Sequence, residues 1–258
     1  MTERLPSLSI VLLAYHEADI IATTLAQARS CGERFAGRHE VIVVGFAGCK
    51  DATNRIVEES AILDDRIRLI LQPIAEKGYG RALALGIAAC RYEWILQSDA
   101  DGQYVLDDLG KLLPYAQDPT IGLVHGYRKP RRDPFERICF ATAYNIALRL
   151  LYPIPVRDAD SAFKLLRAKA ALTALPACKS GFAIAEMILR MQACGYKAAQ
   201  LPITHLPRKS GEAMAEKNVK APFGLQIPDL TLTLGTLKEM WDMRATLNKP
   251  ATGAAFKT

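Results

Sequence analysis

The feature that most constrains this chain is a regular alternation, through its first half, of continuous apolar runs with amphipathic or Ala-rich stretches. The runs Leu8 to Ala14, Glu40 to Val44, Ile67 to Leu71, Trp94 to Gln97 and Ile121 to Gly126 read as strands. Between them, Ala18 to Ser30, Thr53 to Glu59, Gly78 to Cys90 and Leu106 to Gln117 read as helices. Strands that are apolar at nearly every position need cover on both faces. This predicts an α/β fold with a mostly parallel central sheet and helices on both faces. Ligands of such sheets sit beyond the carboxyl ends of the strands, so the residues just after each strand carry the functional information.

The second half changes character. Pro134 to Tyr152 is a helix-like stretch mixing aromatic residues with Arg137 and Arg149. A short strand is expected over Ser161 to Leu166, a helix over Ile184 to Cys194 and a last strand over Lys197 to Ile203. Phe223, Ile227, Leu230, Leu234, Leu237 and Trp241 then recur at alternating steps of four and three, which defines one helical face. Pro228 confines a continuous helix to the part after it. Such a stripe either docks on the core or lies in a membrane interface. The expected division is a main domain over residues 1–215 and a C-terminal amphipathic helical extension over 216–258.

Composition narrows the function classes. With 50% hydrophobic and 23% charged residues the chain can bury a core. The net charge of +6 suits anionic partners. Six cysteines without a CxxC pair argue against a zinc ribbon, a thioredoxin motif or a dense disulfide framework, and read as reduced, mostly buried thiols. The seven-residue run Leu8 to Ala14 is too short for a signal peptide, and no uncharged apolar stretch is long enough to span a bilayer. The expectation is a cytoplasmic protein, peripheral on a membrane at most.

Several strand ends carry polar groups with chemical potential. After the first strand come Ala14, Tyr15, His16 and Glu17, the acid opening a helix. After the fourth come Asp99, Ala100, Asp101 and Gln103. Two carboxylates two residues apart, with an amide two further on, can converge on one divalent cation and its bound diphosphate, and without a cation they repel. Lys77, Gly78 and Gly80 form a glycine turn at a strand-to-helix junction, where backbone amides can approach a phosphate. After the fifth strand, Arg128, Lys129, Arg131 and Arg132 place four cations in five positions, a solvated basic face or a seat for an anionic second substrate. Only Tyr127 is interleaved with them, so a nucleic-acid surface is not expected.

The order and spacing of these pieces resemble the family 2 glycosyltransferases of GT-A fold, and within them the dolichol-phosphate or polyprenol-phosphate mannosyltransferase-like branch, over about residues 6 to 213. Leu13-Ala14-Tyr15-His16-Glu17 is similar to the family's Pro-Ala-Tyr-Asn-Glu. Lys77, Gly78 and Gly80 match its Lys-Gly-x-Gly element, and Asp99, Ala100, Asp101 and Gln103 its Asp-Ala-Asp-x-Gln motif. Gly126 and Arg128 match Gly-x-Arg, and Asp158, Phe163, Leu165 and Arg167 resemble a later Asp-x-x-x-x-Phe-x-Leu-x-Arg element. Glu186 stands where the family has a Glu in its acceptor-side helix, and Arg208, Gly211, Glu212 and Ala213 resemble Arg-x-x-Gly-Glu-Ser. One stretch departs. Where the family has Val-Asp-Asp-Gly-Ser-x-Asp-Gly-Thr, its first acid contacting the nucleotide, this chain has Gly45-Phe46-Ala47-Gly48-Cys49-Lys50 before Asp51-Ala52-Thr53. Either Phe46 stacks on the base instead, or the loop takes a different nucleotide or none.

The resemblance implies a nucleotide-diphospho-sugar transferase that moves a hexose, with inversion, from a GDP- or UDP-linked donor to a polyprenyl- or dolichyl-phosphate acceptor. It implies Mg2+ or Mn2+ on Asp99, Asp101 and Gln103. Donor contacts would come from Ala14, Tyr15, Glu17, Phe46, Asp51, Lys77, Gly78, Asp99 and Ala100. Acceptor-phosphate contacts would come from Arg128, Arg131 and Arg208, with Asp158 and Glu186 completing the catalytic set of Asp99, Asp101 and Arg128. An ionised phosphate needs no protein base, whereas a hydroxyl acceptor would draw on Asp158, Asp160 or Glu186. The chain lacks the Gln-x-x-Arg-Trp motif of processive relatives, so one transfer per acceptor is expected. The alternatives are a same-fold transferase acting on a hydroxyl and a non-catalytic nucleotide-sugar-binding homologue. Phe135 to Tyr152 and Leu230 to Trp241 are the stretches expected to meet a membrane surface.

Overall fold

The computed structural model of the chain describes residues 4–133, 135–208, 219–220, 226–227 and 230–247. Strands β1 (Leu5–Leu13), β2 (Ala36–Phe46), β3 (Ile67–Gln72) and β4 (Trp94–Asp99) alternate with helices α1 (Ile21–Phe35), α2 (Thr53–Leu63) and α3 (Tyr79–Ala88). A short α4 (Leu109–Leu112) leads to β5 (Ile121–Arg128), followed by α5 (Phe135–Leu151), β6 (Lys164–Arg167), α6 (Ala168–Thr173), α7 (Phe182–Ala193) and β7 (Lys197–Ile203). A two-residue hairpin pair, β8 (Val219–Lys220) and β9 (Gln226–Ile227), precedes α8 (Leu230–Leu247).

The main sheet has seven strands in the order β3-β2-β1-β4-β6-β5-β7. Neighbours pair in parallel except at β6, which runs antiparallel to both β4 and β5. The apolar strands do what their pattern requires. Along β1, Ile10 and Leu12 enter the core shared with α1 and α4, while Val11 and Leu13 enter the core shared with α3 and α7, all of them buried. The segment Leu106 to Gln117, expected as one helix, is a 3-10 turn, a single α turn and a second 3-10 turn. Pro114 has no N–H to continue an α-helical ladder there. All six cysteines are free, but only Cys31 and Cys178 are buried rather than most of them, Cys139 and Cys194 being exposed.

Topology alone assembles the site. β1 and β4 end level with one another, Leu13 opposite Asp99, and β2 ends nearby at Phe46. Because β6 is reversed, its first residue, Lys164, lies at that same edge between Gln97 of β4 and His125 of β5. Insertion of one antiparallel strand therefore brings the segment before β6, Asp158 to Phe163, to the carboxyl ends of the parallel strands.

Of the C-terminal stripe, the described side chains Leu234, Leu237 and Trp241 do not dock on the core. Among the described side chains of α8, Met240 is the buried one; the Tyr152 hydroxyl donates to its carbonyl, and Glu239 accepts from the amides of Lys179 and Ser180 at 3.1 and 3.2 Å. Leu234, Leu237 and Trp241 point outward, Trp241 being 63% exposed. Phe223 and Pro228 lie outside the described residues, as do Gly211, Glu212 and Ala213 of the late motif. On α5, Phe135, Phe140, Ile146 and Leu150 are likewise exposed, Phe135 at 77% and Leu150 at 82%. No helix among the described residues is long and apolar enough to cross a membrane.

Candidate active site

The end of β4 presents Asp99, and a turn through Gly102 at φ +71° carries Asp101 and Gln103 beside it. Asp99 is held by the Tyr79 hydroxyl, which donates to its Oδ1 at 3.3 Å and itself accepts from Gln97 Nε2 at 3.0 Å. Burial and the neighbouring Asp101 push the Asp99 carboxyl up to about 7. Burial also raises Asp101, whose Oδ1 accepts from the Gln103 amide at 3.0 Å. The side-chain amide of Gln103 donates to Leu206 O at 3.2 Å.

Glu17 joins this pair. Burial pushes it up to about 8 against the attraction of Arg208, and Asp101, Asp99 and Asp51 add to the rise. Arg208, just after β7, meets Glu17 Oε1 at 2.5 Å and reaches Asp101 Oδ2 at 3.6 Å. The other oxygen, Glu17 Oε2, is buried without a hydrogen-bond partner. Three neighbouring carboxylates that all resist ionisation mark a place short of positive charge. Among the described residues, no group of three or more His, Cys, Asp or Glu side chains forms a complete metal cage.

Beside the acids lies an aromatic wall. Tyr15 stacks on His16 with centroids 4.3 Å apart, and Phe46 tilts against Tyr15 at 5.9 Å. His16 adopts φ 57°, an uncommon left-handed backbone for a residue with a Cβ. Lys77 Nζ sits 4.8 Å over the Tyr15 ring and 5.1 Å over Phe46, and donates to Tyr15 Oη at 3.1 Å. The glycines after Lys77 permit a close approach, since a Cβ at Gly80 would stand 2.1 Å from the Cys178 carbonyl. Gly78 accepts from Gln72 Nε2 through its own carbonyl. Ala14 and Ala100 contribute backbone, their amides donating to Val44 O and Leu13 O.

Asp51 braces the departing loop. Its Oδ1 accepts from the amide and hydroxyl of Thr53 and from Cys49, and its Oδ2 from the Ala18 amide. Burial works against ionisation, but these donors hold the acid at about 2. The brace ties the loop after β2 to the turn that carries Glu17, whose own amide donates to Thr53 Oγ1 at 2.8 Å.

The end of β5 is built differently. Arg128 forks onto Asp158, Nε to Oδ2 at 2.8 Å and Nη2 to Oδ1 at 2.7 Å, and Nη2 also donates to Asp160 Oδ2 at 2.7 Å. Arg131 donates to Asp133 at 3.0 Å and to Asp158 at 3.4 Å. Burial opposes ionisation of Asp158, yet the Arg128 and Arg131 guanidinium groups hold its carboxyl well below the usual range. Asp160 keeps Oδ1 buried and unpartnered. Glu186 stands apart from this network. On α7 it accepts from the amides of Ala177 and Cys178 and pairs with Arg190 at 2.8 Å, so it shapes the turn before its own helix.

Lys164 joins the two regions and was not singled out by sequence reasoning. It is fully buried and donates to Ser161 O. Burial pulls it down to about 7 against the attraction of Asp99, Asp158 and Asp160. Its signal in the sequence is a lone charge inside the otherwise apolar Phe163-Lys164-Leu165-Leu166. Tyr79 and Asp133 were missed for a simpler reason: Tyr79 is the unspecified x of Lys-Gly-x-Gly, and Asp133 falls in no motif.

A parallel sheet interrupted by one reversed strand, with an acidic pair at the end of its central strand, is the architecture of the GT-A fold. The chain belongs to glycosyl transferase family 2, whose pattern it matches over residues 9–172. It is 30% identical over 223 residues to Glycosyltransferase AglD of Haloferax volcanii, a match covering 80% of this chain and 35% of that protein. It is 28% identical to the human dolichyl-phosphate beta-glucosyltransferase, covering 64% and 56%, and 25% identical to the polyprenol monophosphomannose synthase of Mycolicibacterium smegmatis, covering 69% and 72%. The chain thus spans a third to somewhat over half of the length of several of these relatives. Glucosyl-3-phosphoglycerate synthase from Mycobacterium tuberculosis, solved with Mn2+, UDP-glucose and phosphoglyceric acid, shares the fold at a TM-score of 0.59 and 20% identity, covering 79% of this chain and 73% of that one.

Proposed function

We propose that this chain transfers a hexosyl group, with inversion, from a nucleotide sugar to a polyprenyl-type lipid phosphate. The observation that carries the reading is the meeting, along one sheet edge, of an acid cluster short of positive charge and a pair of arginines, the buried Arg128 and the partly buried Arg131. The relatives named for dolichyl-phosphate glucosyl transfer and polyprenol monophosphomannose synthesis support the acceptor class.

The donor set fits a divalent ion. Buried carboxylates that repel each other, with an unpartnered Glu17 oxygen beside them, are what Mg2+ or Mn2+ would relieve, and Asp99, Asp101 and the amide oxygen of Gln103 are the hard oxygen ligands available. Bound there, the ion would neutralise the leaving diphosphate, the largest expected contribution to lowering the barrier. The chain's own residues do the rest. Tyr79 fixes the Asp99 carboxylate, Lys77 adds charge beside the Gly78 turn, and Tyr15, backed by a Phe46 that is itself buried, offers apolar surface to a base. Arg128 and Arg131, with Arg208 across from them, would orient the acceptor phosphate through charge-assisted hydrogen bonds. That phosphate is ionised at neutral pH and attacks without a base.

The exposed apolar residues of α5 and α8 would rest on the membrane that presents the lipid, and the net charge of +6 favours an anionic leaflet. One observation favours a second reading, transfer to a hydroxyl. Asp158 and Glu186 have their carboxylates saturated by donors, but Asp160 has an oxygen free to take a proton. The test is transfer from labelled UDP-glucose and GDP-mannose, with Mn2+ or with EDTA, to polyprenyl phosphate and to the corresponding polyprenol. Metal-dependent product on the phosphate alone is expected. Product on the alcohol alone would favour the second reading, and nucleotide binding without product on either would leave a binding protein.

A further inference from the structure

Asp160 occupies the position on Arg128 that an incoming anion would need. Arg128 is held from one side by Asp158, which takes Nε, Nη2 and the backbone amide. That pair is buried and its acid firmly ionised, so it forms a fixed unit. Asp160 meets the same Nη2 at 2.7 Å and reaches Arg131 Nη2 at 3.8 Å, but it differs from Asp158 in two ways. Its side chain is 32% exposed against 11% for Asp158, and it engages through one oxygen while the other has no partner. Of the acids around Arg128 it is therefore the one with least holding it and a way out to solvent. Asp133, the third, is 2% exposed and tied to Arg131 at 2.9 Å.

We propose that the Asp160 carboxylate is a displaceable internal anion that holds the seat of the acceptor phosphate on Arg128 and so sets the affinity for the acceptor. The inference rests on the lipid-phosphate reading above and deepens it. In the acceptor-free protein Asp160 satisfies Arg128. When a phosphate monoester arrives, the carboxylate gives way and the phosphate oxygens take the Nη2 donor. The apparent affinity for the acceptor is then reduced by the fraction of molecules in which Asp160 is seated. The exchange keeps Arg128 paired throughout, which a buried guanidinium requires. It also excludes a neutral headgroup, which could not outcompete a carboxylate for Arg128.

The test compares wild type with Asp160→Asn, Asp160→Ser and Asp160→Glu. Calorimetry with farnesyl phosphate gives the binding constant, and initial rates with a long-chain polyprenyl phosphate give KM and kcat separately. Asp160→Asn and Asp160→Ser are expected to tighten farnesyl phosphate binding and lower the acceptor KM by about tenfold. Donor KM should not move, and Asp160→Glu, which keeps a carboxylate in reach, should stay near wild type. Unchanged or weakened phosphate binding in both neutral variants, with folding verified by thermal melting, would overturn the proposal. A loss of kcat of about a hundredfold or more at unchanged KM would also overturn it, because that is the signature of a general base. Failure of the underlying reading looks different. Wild type and every variant would then ignore farnesyl phosphate while still transferring sugar to the alcohol, and the displacement proposal would fall with it.

Discussion

On the β4 side of the site, Glu17, Asp99 and Asp101 have pKa values driven up; on the β5 side, Asp158 and Asp133 have theirs driven down. Both groups are buried carboxylates, and all but Asp99 contact an arginine, so neither burial nor residue type distinguishes them. The geometry of the counter-charge does. Arg128 forks onto Asp158 with two short, parallel bonds, whereas Arg208 approaches Glu17 with one nitrogen and reaches Asp101 only at 3.6 Å. The β5 acids are a finished structure, and the β4 acids are a site awaiting charge from outside.

The sharpest way to break this comparison is to remove one charge from each side. Asp101→Ala is expected to cut metal-dependent transfer by about a hundredfold to a thousandfold, judged from the loss of one preorganised charge contact to the transition state. It should leave the melting temperature unchanged or higher, because it removes a repelling acid. Arg128→Met should do the reverse to stability, costing about 3–5 kcal/mol in denaturant unfolding by stranding Asp158 and Asp160 without their partner. If the two variants destabilised the protein equally, the β4 acids would be structural as well and the distinction would fail.

What the sequence made legible follows the same division. The apolar runs of β1 to β5 needed no tertiary information, and Asp99 and Asp101 were visible because both lie just where a strand stops. Asp158 and Asp160 were named as candidates, but their pairing with Arg128 was not visible. They sit about thirty residues further on and reach it only because β6 turns back through the sheet, a reversal that strand patterning does not encode. Lys164 was hidden likewise, a charge in an apolar strand whose meaning depends on what lies across the edge. For α8 the period gave a face but not its direction. Met240, off the stripe, turned out to be the anchor, while Leu234, Leu237 and Trp241 point away.

The pH dependence sharpens the comparison further. A cation on the β4 acids must displace the protons that burial keeps there, so Mn2+ affinity should climb with pH. About tenfold per unit is expected below 7 for each proton released, levelling off above 8, where Asp99 and Glu17 are ionised. Calorimetry in buffers of different ionisation enthalpy counts those protons. The stability sign runs the opposite way. A carboxyl whose folded value lies above its unfolded one costs stability as pH rises between the two, so metal-free Glu17→Gln should gain on wild type from the ordinary carboxylate range up to about 8. Asp158, held low, should give no such gain on amidation at neutral pH.

The smallest expected effect concerns where each substrate enters. α5 begins two residues beyond Asp133, so its apolar outer face adjoins the arginine side of the site. Phe135 and Phe140 both look outward from it. If a membrane delivers the acceptor there, Phe135→Ser and Phe140→Ser should each weaken binding to anionic vesicles by about threefold, the loss expected for a ring only partly inserted. KM for a long-chain polyprenyl phosphate should rise in step, with donor KM and the melting temperature unmoved, since exposed positions carry little of the fold. Flotation with vesicles and kinetics on the same preparations read both quantities. A shift in donor KM instead would mean that α5 serves the β4 side, and that the two regions do not divide the substrates between them.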